Sequence, residues 1–141
     1  MEKLKVPQQL LYNALKTYKK VFEGLEKARL TNDALIIEMA QDSCIQRFEY
    51  CFDSFWKFLK RYLEGYYELE NINSPRSVFE ACVKQKLCSE QQGEQLVLML
   101  EDRNITTHTY DAEKVRRIFP RVLEYYSLMK DIVDSLPTVA K

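Results

Sequence analysis

Arginine, histidine and tyrosine gather in one stretch of this sequence, Glu101-Asp102-Arg103-Asn104-Ile105-Thr106-Thr107-His108-Thr109-Tyr110. His108 is the single histidine of the chain. An imidazole exchanges a proton near neutral pH. A guanidinium offers a planar fork of donors that matches a phosphate. Together they are enough for phosphodiester chemistry without a metal. His108 would withdraw a proton from a ribose 2′-hydroxyl, or return one to the leaving oxygen, while Arg103 held the phosphate as charge built up on it. The same residues have plainer uses. A histidine after a helix often caps it or sits in solvent, and Arg103 can pair with Asp102 or bond the last carbonyls of a helix. Spacing alone leaves both readings open.

The elements that must position these residues all carry the helical period. Leu10, Leu11, Ala14, Leu15, Tyr18, Val21, Phe22, Leu25 and Ala28 form one face of a first helix over about 8–30. Thr31, Asn32 and Asp33 supply the turn and the N-cap. A second helix over about 33–66 runs through Phe48, Cys51, Phe55, Leu59 and Tyr62. Ser74 then caps a short third helix, with Pro75 at its first position. Ser89-Glu90-Gln91-Gln92 matches a capping box and opens a fourth helix that runs towards Arg103. Residues 104–109 lose the period, which predicts a helix end and a tight connection there. A fifth helix over about 110–135 contains Pro120, which predicts a kink or bend. The fold class is all-α: an antiparallel four-helix up-and-down bundle with an additional short helix, in a single domain spanning 1–141.

Composition narrows the function. With 3 glycines and 4 prolines in 141 residues, turn-rich β folds and Gly-rich phosphate loops are disfavoured. Lys plus Arg and Asp plus Glu balance at 21 each, so any capture of nucleic acid rests on a local face rather than on bulk charge. Cys44, Cys51, Cys82 and Cys88 contain no C-x-x-C pair. Together with the single histidine, this argues against a metal site and for reduced, buried thiols in a cytoplasmic protein. No run of apolar residues is long enough for a membrane span, and the first residues have no signal-like apolar core.

Arg103, four intervening residues and His108, with the polar Asn104 directly after the arginine, resemble the signature of HEPN domains. Gln46-Arg47-Phe48-Glu49-Tyr50 with Phe55-Trp56-Lys57, Ser74-Pro75-Arg76 and Glu80-Ala81 are similar to motifs of one HEPN branch, the nucleotidyltransferase substrate-binding protein family. So is Met99-Leu100 leading into Glu101-Asp102-Arg103-Asn104. The resemblance covers nearly the whole chain. It implies a helical homodimer whose two Arg–His motifs face each other across a cleft, and a minimal nucleotidyltransferase (MNT) as partner. It implies two functions: a non-catalytic subunit that presents a nucleotide or substrate, or a metal-independent endoribonuclease toxin that the MNT partner silences. In some such pairs silencing is transfer of AMP to a tyrosine two residues after the histidine, the position of Tyr110. Attached phosphates would fill the cleft with negative charge and repel RNA. The phenol of Tyr110 can equally be a helix-start aromatic packed on the bundle.

The roles expected on the leading reading are therefore these. Arg103 stabilises the phosphate, His108 moves the proton, and Asn104 orients Arg103 or a phosphate oxygen. Asp102 positions Arg103 or His108 from behind, and Tyr110 is the AMP acceptor. No cofactor is expected. Arg47 and Glu49 form a structural ion pair or line the cleft, and the resemblance lets Arg47 be a further phosphate contact. Lys57 is a solvated cation or a cleft cation. Arg76 is an exposed residue of a helix start or reaches an anion there. Lys114, Arg116, Arg117 and Arg121 form a basic apron beside the motif, or an ordinary solvated face. Tyr62, Tyr66 and Tyr67 are expected in the core or an interface rather than stacked on bases. A third class is a pure interaction protein in which the motif is only structural.

Overall fold

Helix α2 organises the fold. The computed structural model describes residues 2–108 and 112–137. In chain order these form α1 (Glu2–Leu30), α2 (Ala34–Tyr67), α3 (Pro75–Lys84), α4 (Glu90–His108) and α5 (Ala112–Ser135). At ~1.5 Å per residue α2 is about 50 Å long. Among the described residues it is the only helix that packs on each of the other four.

Local chemistry sets the helix starts. The Asp33 carboxylate accepts from the main-chain N–H groups of Leu35 and Ile36 at 3.0 and 3.3 Å. Ser74 and Ser77 exchange reciprocal bonds at the head of α3, with Pro75 in the first turn. Ser89 and Gln92 close the predicted box: the Ser89 N–H donates to Gln92 Oε1 at 2.9 Å, and the Gln92 N–H donates to Ser89 Oγ at 3.0 Å. Each pair satisfies donors that a helix start leaves open.

Two boundaries differ from the sequence reading. Helix α1 begins at Glu2, with Pro7 inside it. Proline forfeits one backbone bond near a helix start, and burial of Leu4 holds the extra turn against the core. Helix α4 does not end near Arg103 but continues through His108. Helix α5 carries Pro120 inside it and ends at Ser135, where the sequence reading placed both. That proline has no N–H for the carbonyl of Arg116, one turn earlier.

The core is aromatic and lies along α2. Phe48, Phe52, Phe55, Leu59 and Leu63 are fully enclosed, together with Leu11 and Tyr18 of α1, Phe79 of α3, Leu96 and Met99 of α4, and Val122 and Met129 of α5. Tyr18 donates its hydroxyl to the main-chain carbonyl of Val122, which ties α1 to α5. Burial raises that phenol's pKa. Tyr62 is buried as expected; its ring lies 4.9 Å from that of Tyr66 and its hydroxyl donates to the carbonyl of Pro137 at 2.8 Å. The four cysteines are free and buried, as the sequence indicated. A smaller cluster of Leu25, Cys44 and Phe119 closes the opposite end of the α1–α2–α5 packing.

Candidate functional site

The last two turns of α4 lie against the middle of α2. Arg103 is half-buried, and its guanidinium carbon stands 5.4 Å from the centre of the Phe52 ring. A cation over an aromatic face is held by the ring's quadrupole. The Arg103 Nε–H is buried and has no hydrogen-bond partner among the described residues. Nearer the end of α4, the hydroxyls of Thr106 and Thr107 donate to one oxygen of Glu49, at 2.8 and 2.7 Å. Phe52 follows Glu49 by three residues, and Thr106 follows Arg103 by three. Residues three or four apart share a helix face, so two matched faces run antiparallel: Phe52 against Arg103, Glu49 against Thr106 and Thr107.

Over 104–108 the structure corrects the reading of a connection, since these residues are helical; residue 109 lies outside the described residues. Ile105, Thr106 and Thr107 are β-branched and weak helix formers. They are nevertheless helical, and Glu49, more than fifty residues away in sequence, accepts from two of them. The structure also corrects the proposed Arg47–Glu49 ion pair. Side chains two apart on a helix do not face each other, and no ion pair joins these two. Arg47 lies over the ring of Tyr50, its guanidinium carbon 5.8 Å from the ring centre.

Asp102 is 1% exposed and turns to α5. Its two oxygens accept from Arg121 Nε and Nη2 at 2.8 and 2.9 Å, and the Tyr125 hydroxyl donates to it at 2.5 Å. The carboxylate expected behind Arg103 or His108 is thus bonded to the neighbouring helix. The hydrogen bond to Asp102 raises the pKa of Arg121 further above its ordinary range. Burial first, and then the bond to Asp102, raises the Tyr125 phenol. Arg121 therefore leaves the expected basic apron. Sequence reasoning missed this cluster because its partners are nineteen and twenty-three residues from Asp102, beyond any helical spacing.

The other candidates are spread over the surface. Asn104 is exposed on α4. Lys57 is exposed and pairs with Asp53 one turn earlier at 2.9 Å. Arg76 is exposed in the first turn of α3. Arg116 pairs with Glu113 at 3.3 Å, and Arg117 is exposed beside it. Arg116 also lines a groove of about 460 Å³ between α2 and α5, opposite Glu38 and Asp42. The structure thus joins Arg103 to Phe52 and the end of α4 to Glu49; it does not bring Lys57, Arg76 or Arg116 into bonding contact with them. His108 is the last residue of α4. Its side chain and the whole of Tyr110 lie outside the described residues. Among the described residues no group of three His, Cys, Asp or Glu side chains could hold a metal ion. No described helix is long and apolar enough to cross a membrane.

Residues 13–138 match the family described as nucleotidyltransferase substrate binding protein like. No curated protein matches the sequence. A crystal structure from Thermus thermophilus is similar at 31% identity and a TM-score of 0.68, covering 86% of this chain and 99% of that one. A tri-AMPylated Shewanella oneidensis HEPN toxin in complex with an MNT antitoxin matches at 19% identity and a TM-score of 0.64, over 89% of this chain and 97% of that one. A toxin–antitoxin structure with AMP-PNP matches at 18% identity and a TM-score of 0.64, over 89% of this chain and 96% of that one. At that identity these two likenesses speak for the fold.

Proposed function

The chain belongs to the nucleotidyltransferase substrate-binding-protein-like family, and from that premise we propose that it is the HEPN member of a two-protein MNT/HEPN toxin–antitoxin pair, acting as a metal-independent endoribonuclease. The observation that carries this reading is Arg103. Its guanidinium rests on Phe52, and its buried Nε–H has no acceptor among the described residues. Among the described residues no carboxylate pairs with Arg103, and the side chain as a whole is only half-buried, so the outer nitrogens of its fork are left for an external acceptor. A phosphate oxygen is the acceptor that a guanidinium fits best.

The reaction follows from general acid–base chemistry. His108 takes the proton of a ribose 2′-hydroxyl. The freed oxygen attacks the adjacent phosphorus and the bond to the 5′-oxygen breaks, leaving a 2′,3′-cyclic phosphate. The departing oxygen takes a proton and becomes a hydroxyl. Arg103 stabilises the charge on the phosphate oxygens, and Asn104 orients one of them. A homodimer brings two motifs to one cleft, so one copy's imidazole serves as base and the other's as acid. Dimerisation also answers a geometric constraint. His108 follows Arg103 by five helical positions, which puts the two positions about 140° apart around one helix.

The MNT partner and the AMP acceptor are proposed on the kinship to a HEPN toxin that is itself AMPylated and bound to an MNT antitoxin. Tyr110 attacks the α-phosphorus of ATP, pyrophosphate leaves, and the phenol loses its proton. Arg47 and Arg117 assist in holding the RNA backbone. Lys57, Arg76 and Arg116 are weaker candidates, since two of the three are already paired and none bonds to the Arg103 surroundings. The four buried, free thiols fit a cytoplasmic location.

A second reading is favoured by the family's own description: a subunit that binds a nucleotide for its partner without chemistry of its own. One comparison separates the two. Expression without the partner should arrest growth, His108→Ala should relieve it, and the purified protein should cut single-stranded RNA in EDTA. If wild type and His108→Ala are equally harmless and neither cuts RNA, the ribonuclease reading is wrong. The binding reading then requires that Arg103→Ala weaken nucleotide binding in the complex with the partner, measured by calorimetry. Incubation with the partner and ATP should add mass in multiples of AMP, and Tyr110→Phe should abolish the addition.

A further inference from the structure

We infer that Glu49 is the positioning residue of this site, the group that keeps the last turn of α4 helical and in register so that Arg103 stays on Phe52. The inference rests on the ribonuclease reading for its catalytic consequence, but its structural half stands apart from that reading.

The carboxyl end of a helix is the part most prone to fray, because its last four carbonyls lack helical partners. In α4 that end carries three β-branched residues in a row, Ile105, Thr106 and Thr107, which adds to the tendency. The helix nevertheless continues to His108. A carboxylate near a helix carboxyl terminus is electrostatically unfavourable by itself. Glu49 is therefore placed there for its specific bonds. One of its oxygens takes both threonine hydroxyls, at 2.8 and 2.7 Å.

The two threonines are not equivalent. A hydroxyl has a single proton to give. Thr106 can give its proton to Glu49 or to the main-chain carbonyl of Arg103, which stands 2.9 Å away. Back-bonding of that kind bends helices. Glu49 draws the proton off and frees the Arg103 carbonyl from it. Thr107 has only the Glu49 oxygen as its side-chain acceptor among the described residues. Glu49 thus acts on the backbone of Arg103 through Thr106 and on the residue before His108 through Thr107. The stack of Arg103 on Phe52, one turn further along α2, depends on the same register.

Amide hydrogen exchange on the whole protein, read by mass spectrometry, tests the structural half. Glu49→Ala should speed exchange across the final turn of α4 about tenfold or more, with the amides of Phe48–Leu63 unchanged. Glu49→Gln retains an accepting oxygen and should restore most of the protection. Thr107→Val should give a smaller increase, and adding it to Glu49→Ala should add nothing. Unchanged exchange in Glu49→Ala overturns the inference.

RNA cleavage in EDTA tests the catalytic half. Misplacing a group that contacts the reacting atoms by about 1 Å costs up to about a hundredfold in rate. In Glu49→Ala, kcat should fall about tenfold or more with little change in KM, and Glu49→Gln should recover it. Wild-type cleavage that Glu49→Ala leaves intact overturns the inference. If the wild type itself cuts no RNA while the exchange pattern holds, the ribonuclease reading fails and the positioning role stands.

Discussion

Asp102 of α4 and Arg121 of α5 meet through two parallel bonds, at 2.8 and 2.9 Å, and the two ends of that pair live in different solvents. The Asp102 side chain is 2% exposed and that of Arg121 is 42% exposed. The pair and the Tyr125 hydroxyl bolt α5 to the helix that carries the candidate site.

The asymmetry predicts which substitution hurts more. Arg121→Ala strands a buried carboxylate with only Tyr125 as partner, and breaking a buried pair in this way costs about 3 kcal/mol. Asp102→Ala leaves an arginine that can turn to water, so it should cost less, with most of the loss from the Tyr125 hydroxyl. Adding Asp102→Asn to Arg121→Ala should recover part of the stability. Urea unfolding of the four proteins checks the order.

Arg103 should not tolerate its usual replacement. Lysine is a point charge without the planar fork, and it does not lie flat on Phe52. On the ribonuclease reading Arg103→Lys should lower kcat/KM by about a hundredfold. His108→Ala should lower it at least as far, while both variants keep the wild-type helical circular dichroism. Steady-state cleavage of a fluorescent RNA measures the first effect. Wild-type activity in Arg103→Lys would remove the fork from the mechanism.

Alkali should unfold the protein through its thiols. Burial pushes Cys44 up to about 11 and Cys51 and Cys82 up to about 12, against an ordinary value of 9.0. Above pH 9 the unfolded chain loses these protons and the folded chain keeps them, so stability falls as pH rises towards the folded values. Each such thiol contributes a slope of up to about 1.4 kcal/mol per pH unit. Stability should be level from pH 7 to 8 and should decline steeply from pH 9 to 11. Cys51→Ala with Cys82→Ala should flatten the decline. The buried thiols should also resist a thiol reagent at pH 7.5 until urea is added.

Gly93 marks a close approach of α4 to α3. A β-carbon there would meet Val83 Cγ2 at 2.5 Å, and valine's branched side chain has few ways to give. Overpacking of this kind costs about 1–3 kcal/mol, more than the ~1 kcal/mol that alanine gains over glycine in a helix. Gly93→Ala should therefore lower the melting temperature, and Val83→Ala should restore part of the loss in the double variant.

What could be read in the sequence was what depends on neighbours. Asp33, Ser74 and Ser89 cap helices through bonds to residues within three positions, and the core face of α2 repeats at the helical period. The end of α4 was not legible. Ile105, Thr106 and Thr107 read locally as a break, and the group that overrules them is Glu49 on another helix. Asp102 was misread for a related reason: its neighbour in sequence is Arg103, but its partner in space is Arg121. Arg103 itself was found from its spacing to His108. That its guanidinium lies on Phe52, with no acceptor for its buried Nε–H among the described residues, could be known only from the packing of α4 on α2.

The place of α2 at the centre has a thermodynamic corollary. Because each of the other four helices packs on this one rod, losing it takes a shared partner from all of them at once. Denaturation should be a single all-or-none event seen alike by fluorescence and circular dichroism. One proline placed between Phe48 and Leu63 should turn the entire chain into a substrate for proteases, where the same change near Leu30 disturbs only a helix end.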